Sequence, residues 1–138
     1  MEISKIVVRF KDGSLQKGTT SDFFPNRVVF HLKSATGEIL DINIEELKAV
    51  YFIKNFEGDK DRIDKYTDDV PGEGRKVQIK FSDGEILIGY SHGYAPTGSG
   101  FFVIPADLQN NNDRIYVITS ATEKITFLNH NKQFSYIK

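Results

Sequence analysis

The side chains of this sequence that could do chemistry are few and scattered. Its three histidines are His31, His92 and His130, and it has no cysteine, so a thiolate nucleophile and a zinc–thiolate site are both excluded. No glycine-rich loop precedes a helical pattern, as phosphate binding would require. The carboxylates that recur, Asp12 and Asp83, each precede a glycine in a turn that accounts for them. We therefore expect no catalytic site, no cofactor and no bound metal.

Residues 54–75 carry a run of aspartates that at first suggests calcium binding. The run consists of Asp59, Asp61, Asp64, Asp68 and Asp69. Its spacing is not that of an EF-hand loop, because the glycine and the terminal glutamate of such a loop are not in place. The segment is rich in charge and ends in the letters PGEG, so a solvated linker is the favoured interpretation.

Two loops collect side chains that suit ligand binding. They read SHGYAPTGSG (residues 91–100) and PADLQNNNDR (residues 105–114). Their aromatic and hydrogen-bonding groups make up the candidate ligand-binding residues His92, Tyr94, Asn110, Asn111, Asn112 and Arg114. The alternative is a decorated loop region in which asparagine supplies ordinary turn chemistry. The sequence favours this second interpretation, but these loops rank first if a ligand exists.

The elements that would position these loops are written twice along the chain. Residues 10–18 read FKDGSLQKG, and residues 81–89 read FSDGEILIG. Residues 5–25 align without a gap on residues 76–96, and further strand patterns align after small insertions. A repeat of this kind indicates one structural unit present in two copies.

Each copy has the pattern of a small β-barrel. KIVVRF alternates between the two faces of a strand, the Asp-Gly pairs mark hairpin turns, and EELKA suits one helical turn. We predict an all-β protein, an internal duplication of two five-stranded SH3-like or Sm-like barrels with minimal helix. The domains are expected at residues 1–53 and 76–128, joined by the charged linker 54–75 and followed by a tail at 129–138.

The two copies differ most on the outer face of their third and fourth strands. Copy two is apolar there, with Phe102, Ile104, Tyr116 and Ile118 as predicted interface residues. Copy one has Val29, His31, Asp41 and Asn43. A sheet that is apolar on both faces must be covered, whether by copy one, the C-terminal segment, a second subunit or another protein. The intramolecular and homodimer interpretations are favoured because they need no further assumption.

The charge and composition of the chain limit the classes of partner that it is expected to bind. The net charge is −1 over 138 residues and neither half is strongly basic, so nucleic acid is disfavoured. Without a membrane-length apolar run or a signal-peptide pattern, we expect a cytoplasmic protein with no membrane partner. The preferred function is a non-catalytic binding or scaffold module that acts through protein–protein contacts or self-association. The alternative is an Sm-like barrel that binds RNA or a small nucleotide through the loops of copy two.

Three segments carry a family resemblance. They are VVRFKDGSLQKGTTSDFFPN, ELKAVYFIKNFEGD and GYSHGYAPTGSGFFVIPADLQNNNDRIYVITSATEKITFL, which together span nearly the whole chain. They resemble an uncharacterised bacterial family of tandem small-barrel proteins. The resemblance implies the fold and a bacterial, cytoplasmic setting, and it brings no catalytic residues. Gly18, Asp22 and Asn26 are also similar to the first motif of Sm-like RNA-binding proteins, although the Arg-Gly pair of the second Sm motif is absent.

Overall fold

The structure, a computed structural model, describes residues 3–54, 74–91, 98–106, 112–129 and 132–137. Its strands are β1 (Ser4–Phe10), β2 (Leu15–Thr20), β3 (Val29–Lys33), β4 (Ile39–Asn43), β5 (Leu47–Ile53), β6 (Arg75–Phe81), β7 (Ile86–Ser91), β8 (Gly100–Pro105), β9 (Asn112–Ile118), β10 (Thr122–Asn129) and β11 (Lys132–Ile137). The helical segments of the described ranges are two 3₁₀ turns, Ile44–Glu46 and Thr119–Ala121. The expectation of an all-β protein with minimal helix is confirmed.

The eleven strands of the described ranges form one antiparallel sheet. Their order across it is β11-β10-β6-β7-β8-β9-β5-β1-β2-β3-β4. The first half of the protein (β1–β5) has the order β5-β1-β2-β3-β4, and the second half (β6–β10) has the order β10-β6-β7-β8-β9. The two halves therefore share one internal strand order, and β5 of the first half pairs with β9 of the second.

The two halves are not separate closed barrels, and that expectation is corrected. One edge of β5 pairs with β1, and the other pairs with β9, where Ala49 lies opposite Val117 and Tyr51 opposite Ile115. β4 and β11 lie at the two ends of the order, so the sheet is not closed. The physical reason is that β5 and residues 115–118 of β9 carry buried apolar side chains on both faces, which the two cores cover when these strands pair. Most of the expected linker, residues 55–73, lies outside the described residues.

Two hydrophobic cores lie on opposite faces of the β5–β9 pair. The first core contains residues of the first half, Ala121 of the second 3₁₀ turn, and side chains of this pair of strands, namely Leu47, Val50, Phe52, Tyr116 and Ile118. Those in or against the second core are Ala49, Tyr51, Ile115 and Val117. Because successive side chains of a strand point to opposite faces, this one pair of strands forms a wall that both cores share.

The repeated Phe-x-Asp-Gly segment forms the same hairpin turn in both halves. Gly13 and Gly84 have φ angles of 94° and 96°, a region that residues with a Cβ rarely adopt. Oδ1 of Asp12 accepts the amide N–H of the residue two positions on at 2.9 Å, and Oδ1 of Asp83 does the same at 3.0 Å. The hairpin therefore uses both repeated aspartates as turn residues.

Gly18 and Gly89 lie at equivalent points of β2 and β7, where the next strand approaches closely. A Cβ added at Gly18 would overlap the carbonyl oxygen of Lys33, and one added at Gly89 would overlap the carbonyl oxygen of Ile104. Each glycine is thus required by the close approach of another backbone, which is the reason a side chain would obstruct the sheet there.

Ile118→Ala should lower the free energy of unfolding by about 3 kcal/mol, because the side chain is 2% exposed and lies in the first core. Urea denaturation followed by circular dichroism measures the change. Ile86→Ala is the matched control, since Ile86 is 51% exposed, and should change stability by less than about 0.5 kcal/mol. Light scattering should give the mass of a single chain for both variants. Unchanged stability with an altered mass would instead place Ile118 between subunits.

Candidate binding surface

Exposed apolar side chains concentrate beside one edge of the sheet. Of the seven large hydrophobic side chains exposed in the described residues, three lie apart, namely Ile3, Leu15 and Ile86. The other four are Phe24, Val28, Val29 and Ile39, which are 43% to 56% exposed. These four belong to loop 21–28, β3 and β4. We call the outer face of β3 and β4, together with this loop, the edge surface.

The edge surface is built on β4, the last strand of the order. Within the described residues β4 pairs with β3 alone, so the other side of β4 presents a row of unpaired backbone groups. A turn joins the two strands, in which the Ser34 amide donates to the Glu38 carbonyl at 2.8 Å and the Gly37 amide donates to the Ser34 carbonyl at 3.0 Å. The short hairpin holds both strands in register and leaves their outer face open to solvent.

His31 lies at the centre of the edge surface, between two carboxylates. Its Nδ1–H donates to Oδ2 of Asp22 at 2.6 Å, and its Nε2 lies 3.3 Å from Oδ1 of Asp41. Its backbone N–H also donates to Oδ1 of Asp22 at 2.9 Å. An ionised carboxylate only accepts hydrogen bonds, so Nδ1 must carry a proton, and a second proton on Nε2 places a positive charge within ion-pair distance of Asp41. The arrangement therefore favours the imidazolium form of His31.

The electrostatics of this cluster follow from those contacts. The hydrogen bond to Asp22 is the largest effect on the pKa of His31 and raises it. Burial acts next and lowers it, and the charges of Asp22 and Asp41 raise it further, so the pKa is raised overall. Burial acts to raise the pKa of Asp22, but hydrogen bonds from His31 and Thr20 outweigh it and lower that pKa overall. Both shifts favour the charged pair.

Phe23, the residue next to Asp22, sits at the junction of the two halves. Its ring centroid lies 5.1 Å from that of Phe30, 5.5 Å from Phe52, 5.2 Å from Tyr116 and 6.4 Å from Phe102, each in an edge-to-face arrangement. Phe30 and Phe52 belong to the first half, whereas Phe102 and Tyr116 belong to the second. An aromatic side chain of loop 21–28 therefore packs against residues of both halves where they meet.

Arg114 covers part of the same aromatic group from β9. Its guanidinium carbon lies 4.5 Å from the ring centroid of Phe52 and 4.8 Å from that of Phe102. A guanidinium at this distance from two ring faces is held by cation–π attraction. Arg114 is exposed, so the edge of its guanidinium remains open to solvent.

Lys48 joins the halves by charge on the opposite side of β5. Its Nζ lies 2.8 Å from Oδ2 of Asp83, donates to Oε1 of Glu85 and lies 4.6 Å from the ring centroid of Phe81. The Lys48 side chain is 11% exposed, whereas both carboxylates are 54% exposed. The hydrogen bond from Lys48 is the largest cause of the lowered pKa of Asp83. The FxDG turn of the second half is thus a docking point for β5.

The residues that the sequence singled out for ligand binding are only partly described. His92, Tyr94, Asn110 and Asn111 lie outside the described residues. Asn112 begins β9 and pairs with Ile53 of β5, and Arg114 faces the aromatic junction.

The four predicted interface residues lie on β8 and β9. Tyr116 and Ile118 are buried in the first core, Phe102 packs against that core, and Ile104 is half-buried. For Tyr116, Ile118 and Phe102 the cover is the first half of the same chain.

The sequence alignment of the two copies places Val28-Val29-Phe30 on Phe101-Phe102-Val103 after a small insertion, and cross-strand pairing corrects this detail. His31 lies opposite Asp41 in the first half, and Phe102 lies opposite Tyr116 in the second. The structural equivalent of Phe102 is therefore His31 rather than Val29. A shift of two residues keeps the same face of a strand, so the inference about outer faces is unaffected.

The comparisons with known proteins gave one finding. A model of a family of unknown function, DUF6982, matches residues 2–129. The chain belongs to the DUF6982 family. The match spans both halves and stops before β11, so the pair of halves is the unit that this DUF6982 chain shares with its family. The searches of curated proteins and of solved structures gave no match.

Residues within the described ranges bring together no group of three histidine or acidic side chains that could bind a metal ion. The helices in those ranges are too short to cross a membrane.

Sequence reasoning missed two of the contacts described above. Lys48 stands in an apolar strand and has the pattern of a solvent-facing lysine, yet it is buried. Asp22 and His31 are nine positions apart on different elements, so only the fold brings them together. A weak signal for Lys48 exists, because a cation flanked by apolar residues in a buried strand needs an anionic partner.

Lys48→Met should lower the free energy of unfolding by about 1–2 kcal/mol, because it removes charge-assisted hydrogen bonds while leaving two carboxylates that solvent can reach. Urea denaturation measures the change. Lys80→Met is the matched control, since Lys80 and Glu123 are 3.5 Å apart and half exposed, and should cost less than about 0.5 kcal/mol. Equal effects of the two variants would contradict the assignment of Lys48 as the contact between the halves.

The same contact should give a dependence on acid. The pKa of Asp83 is lowered from 3.8 in the folded protein, so its contribution to stability is present above about pH 4 and is lost as the pH falls through the lowered value. Lys48→Met should therefore reduce the loss of stability between about pH 7 and pH 3, measured by the urea midpoint at each pH. Other carboxylates, including Asp12, keep part of the loss in both proteins. An unchanged loss in the variant would show that Lys48 does not set the pKa of Asp83.

Proposed function

We propose that this protein is a non-catalytic binding module that takes an extended segment of a partner protein along β4. The observation that carries the proposal is the unpaired edge of β4 beside four exposed apolar side chains. Backbone groups of an edge strand pair readily with another extended chain, and neighbouring side chains then select its sequence.

The outer face next to this edge offers a patterned surface. Val29 and Ile39 lie at opposite ends of the β3–β4 hairpin, and the His31–Asp41 pair lies between them. A partner strand added to β4 would place its alternate side chains beside Ile39 and Asp41 on this face. We therefore expect a partner segment with an apolar residue near Ile39 and a polar or basic residue near Asp41.

The rest of the described sheet offers less to a partner. The second edge of β10 pairs with β11, and the second edge of β5 pairs with β9. The outer face of β8 and β9 packs in part against the first core. Within the described residues β4 and β11 each keep one unpaired edge. Four exposed apolar side chains lie beside β4, which supports the first half as the binding half and the second half as its support.

An internal duplication of small SH3-like or Sm-like units is the architecture we infer behind this division. The shared strand order supports it. So does a matching pair of hydrogen bonds, in which the Lys11 amide donates to the Glu46 carbonyl and the Ser82 amide donates to the Ala121 carbonyl, both at 2.9 Å. A chain without cysteine also suits the bacterial cytoplasm proposed from the sequence.

Selection of random peptides displayed on phage tests the proposed binding. Peptides enriched on the wild type should lose affinity by at least about tenfold on the variant Val29→Lys/Ile39→Lys, because two charges replace apolar contacts on the edge surface. Calorimetry measures both affinities. Leu15→Lys/Ile86→Lys is the matched control, since it places two lysines at exposed apolar positions elsewhere, and should bind like the wild type.

The mode of binding has its own readout. Methylation of alternate backbone nitrogens in an enriched peptide should abolish binding, because an added strand bonds through every second residue. Failure to enrich any peptide, or peptides that bind both lysine variants equally, would contradict the proposal. Binding that depends instead on Arg114 would favour the alternative function described next.

The alternative is binding of RNA or a small nucleotide near the loops of the second half. Arg114 favours it, because a guanidinium already stacked on Phe52 and Phe102 is ordered in advance for an anionic group. Fluorescence anisotropy of a labelled single-stranded RNA at low salt tests it. Binding that falls steeply with salt and is lost in Arg114→Ala would support this alternative.

A further inference from the structure

We propose that His31 is a pH-sensitive latch that holds loop 21–28 on the junction between the two halves. The latch concerns the loop itself and needs no partner, so it goes beyond the proposed binding function. Its parts come from three elements, with Asp22 on the loop, His31 on β3 and Asp41 on β4.

Asp22 is the point at which the loop is fastened. Its Oδ1 accepts the backbone N–H of His31 at 2.9 Å and the hydroxyl of Thr20 at 3.1 Å, and its Oδ2 accepts Nδ1–H of His31 at 2.6 Å. Three hydrogen bonds from β3 and from the end of β2 thus hold this carboxylate. Phe23 follows directly in the chain, so the position of Asp22 fixes where the aromatic ring enters the junction.

Deprotonation of the His31 imidazolium removes one of its two N–H groups. The neutral imidazole has a single N–H, so one carboxylate must then face a nitrogen lone pair. The cluster also changes from one net negative charge to two, because the imidazolium no longer separates Asp22 from Asp41. Repulsion between the carboxylates then acts to move the loop, which carries one of them, away from β4.

Movement of the loop would withdraw Phe23 from the aromatic side chains that it covers. Phe23 fills the space between Phe30, Phe52 and Tyr116, at ring distances of 5.1 to 5.5 Å. Withdrawal of Phe23 would open an aromatic recess between the halves, beside the guanidinium of Arg114. Protonation of His31 thus favours the closed junction, and deprotonation favours the open one.

The direction of the effect follows from linkage. Two charged groups face the ring of His31 and raise its pKa, Asp22 from the loop and Asp41 from β4. On β3 itself, Lys33 lies two residues along the same face. The stabilisation of the closed loop is therefore complete below the ordinary pKa and is lost as pH rises through the raised one. Each pKa unit by which His31 differs between the closed and the open loop corresponds to about a tenfold change in the opening equilibrium.

Nuclear magnetic resonance of the whole chain tests the latch with two measurements. The first is the pKa of His31 in the wild type and in Asp22→Asn. The second is the hydrogen-exchange protection of the His31 amide, which donates to Asp22, at about pH 5.5 and pH 8.5. Protection should fall at the higher pH by about tenfold for each unit by which the wild-type pKa exceeds that of Asp22→Asn.

Two controls separate the latch from general unfolding. The Glu45 amide donates to the side chain of Asn43 at 2.9 Å, a cap that does not titrate, so its protection should be the same at both pH values. His31→Gln replaces the ring with a neutral side chain that does not titrate, and the protection of the residue 31 amide should then no longer depend on pH. This second variant keeps the test valid if Asp22→Asn fails to fold.

Three results would overturn the latch. One is an ordinary pKa for His31 together with constant protection. Another is a raised pKa with no change in the protection of the His31 amide, since the ion pair would then not hold the loop. The third is an equal loss of protection at Glu45, which would mean that the whole first half opens rather than the loop.

Discussion

The pairing of β5 with β9 is the contact on which the rest of this structure depends. β5 and residues 115–118 of β9 have apolar side chains on both faces, and each such side chain, when buried, contributes roughly 1.5–3 kcal/mol relative to exposure. Neither half alone can cover both faces of its own strand. Joined, the two strands supply a wall to each core, and the same pairing leaves β4 rather than β5 as the open end of the first half.

The differences between the halves follow from this one contact. Phe102 and Tyr116 face the junction, and at the equivalent positions of the first half stand His31 and Asp41, which face water. The same strand order thus occurs in two settings, buried where the halves meet and polar where no described residue covers the face. His31 of this polar pair also hydrogen-bonds to Asp22 of loop 21–28. The solvent-exposed face of the first half therefore carries an ionisable cluster.

Much of the local structure was predictable because its causes are local. Alternation of side chains predicted the strands, and the Asp-Gly pairs predicted the hairpins, because Gly13 and Gly84 readily adopt the positive φ angles that the turns have. The pairing of β5 with β9 was not predictable from these signals, since a two-faced apolar strand says that it is covered but not by which strand. Lys48 and the Asp22–His31 pair were missed for the same reason, because their partners are distant in sequence. The candidate loops of the second half lie mostly outside the described residues and stay a prediction.

The separation of β5 from β9 along the chain has a consequence for biosynthesis. β5 ends at Ile53 and β9 begins at Asn112, so at a translation rate of about 5–20 residues per second the first strand waits roughly 3–12 s for its partner. During that interval the first half can complete its local hairpins, but β5 keeps an unpaired edge and an uncovered apolar face. A neighbouring nascent chain carries the same strand in the same state, which makes β5 the segment most prone to mispairing between chains before synthesis is complete.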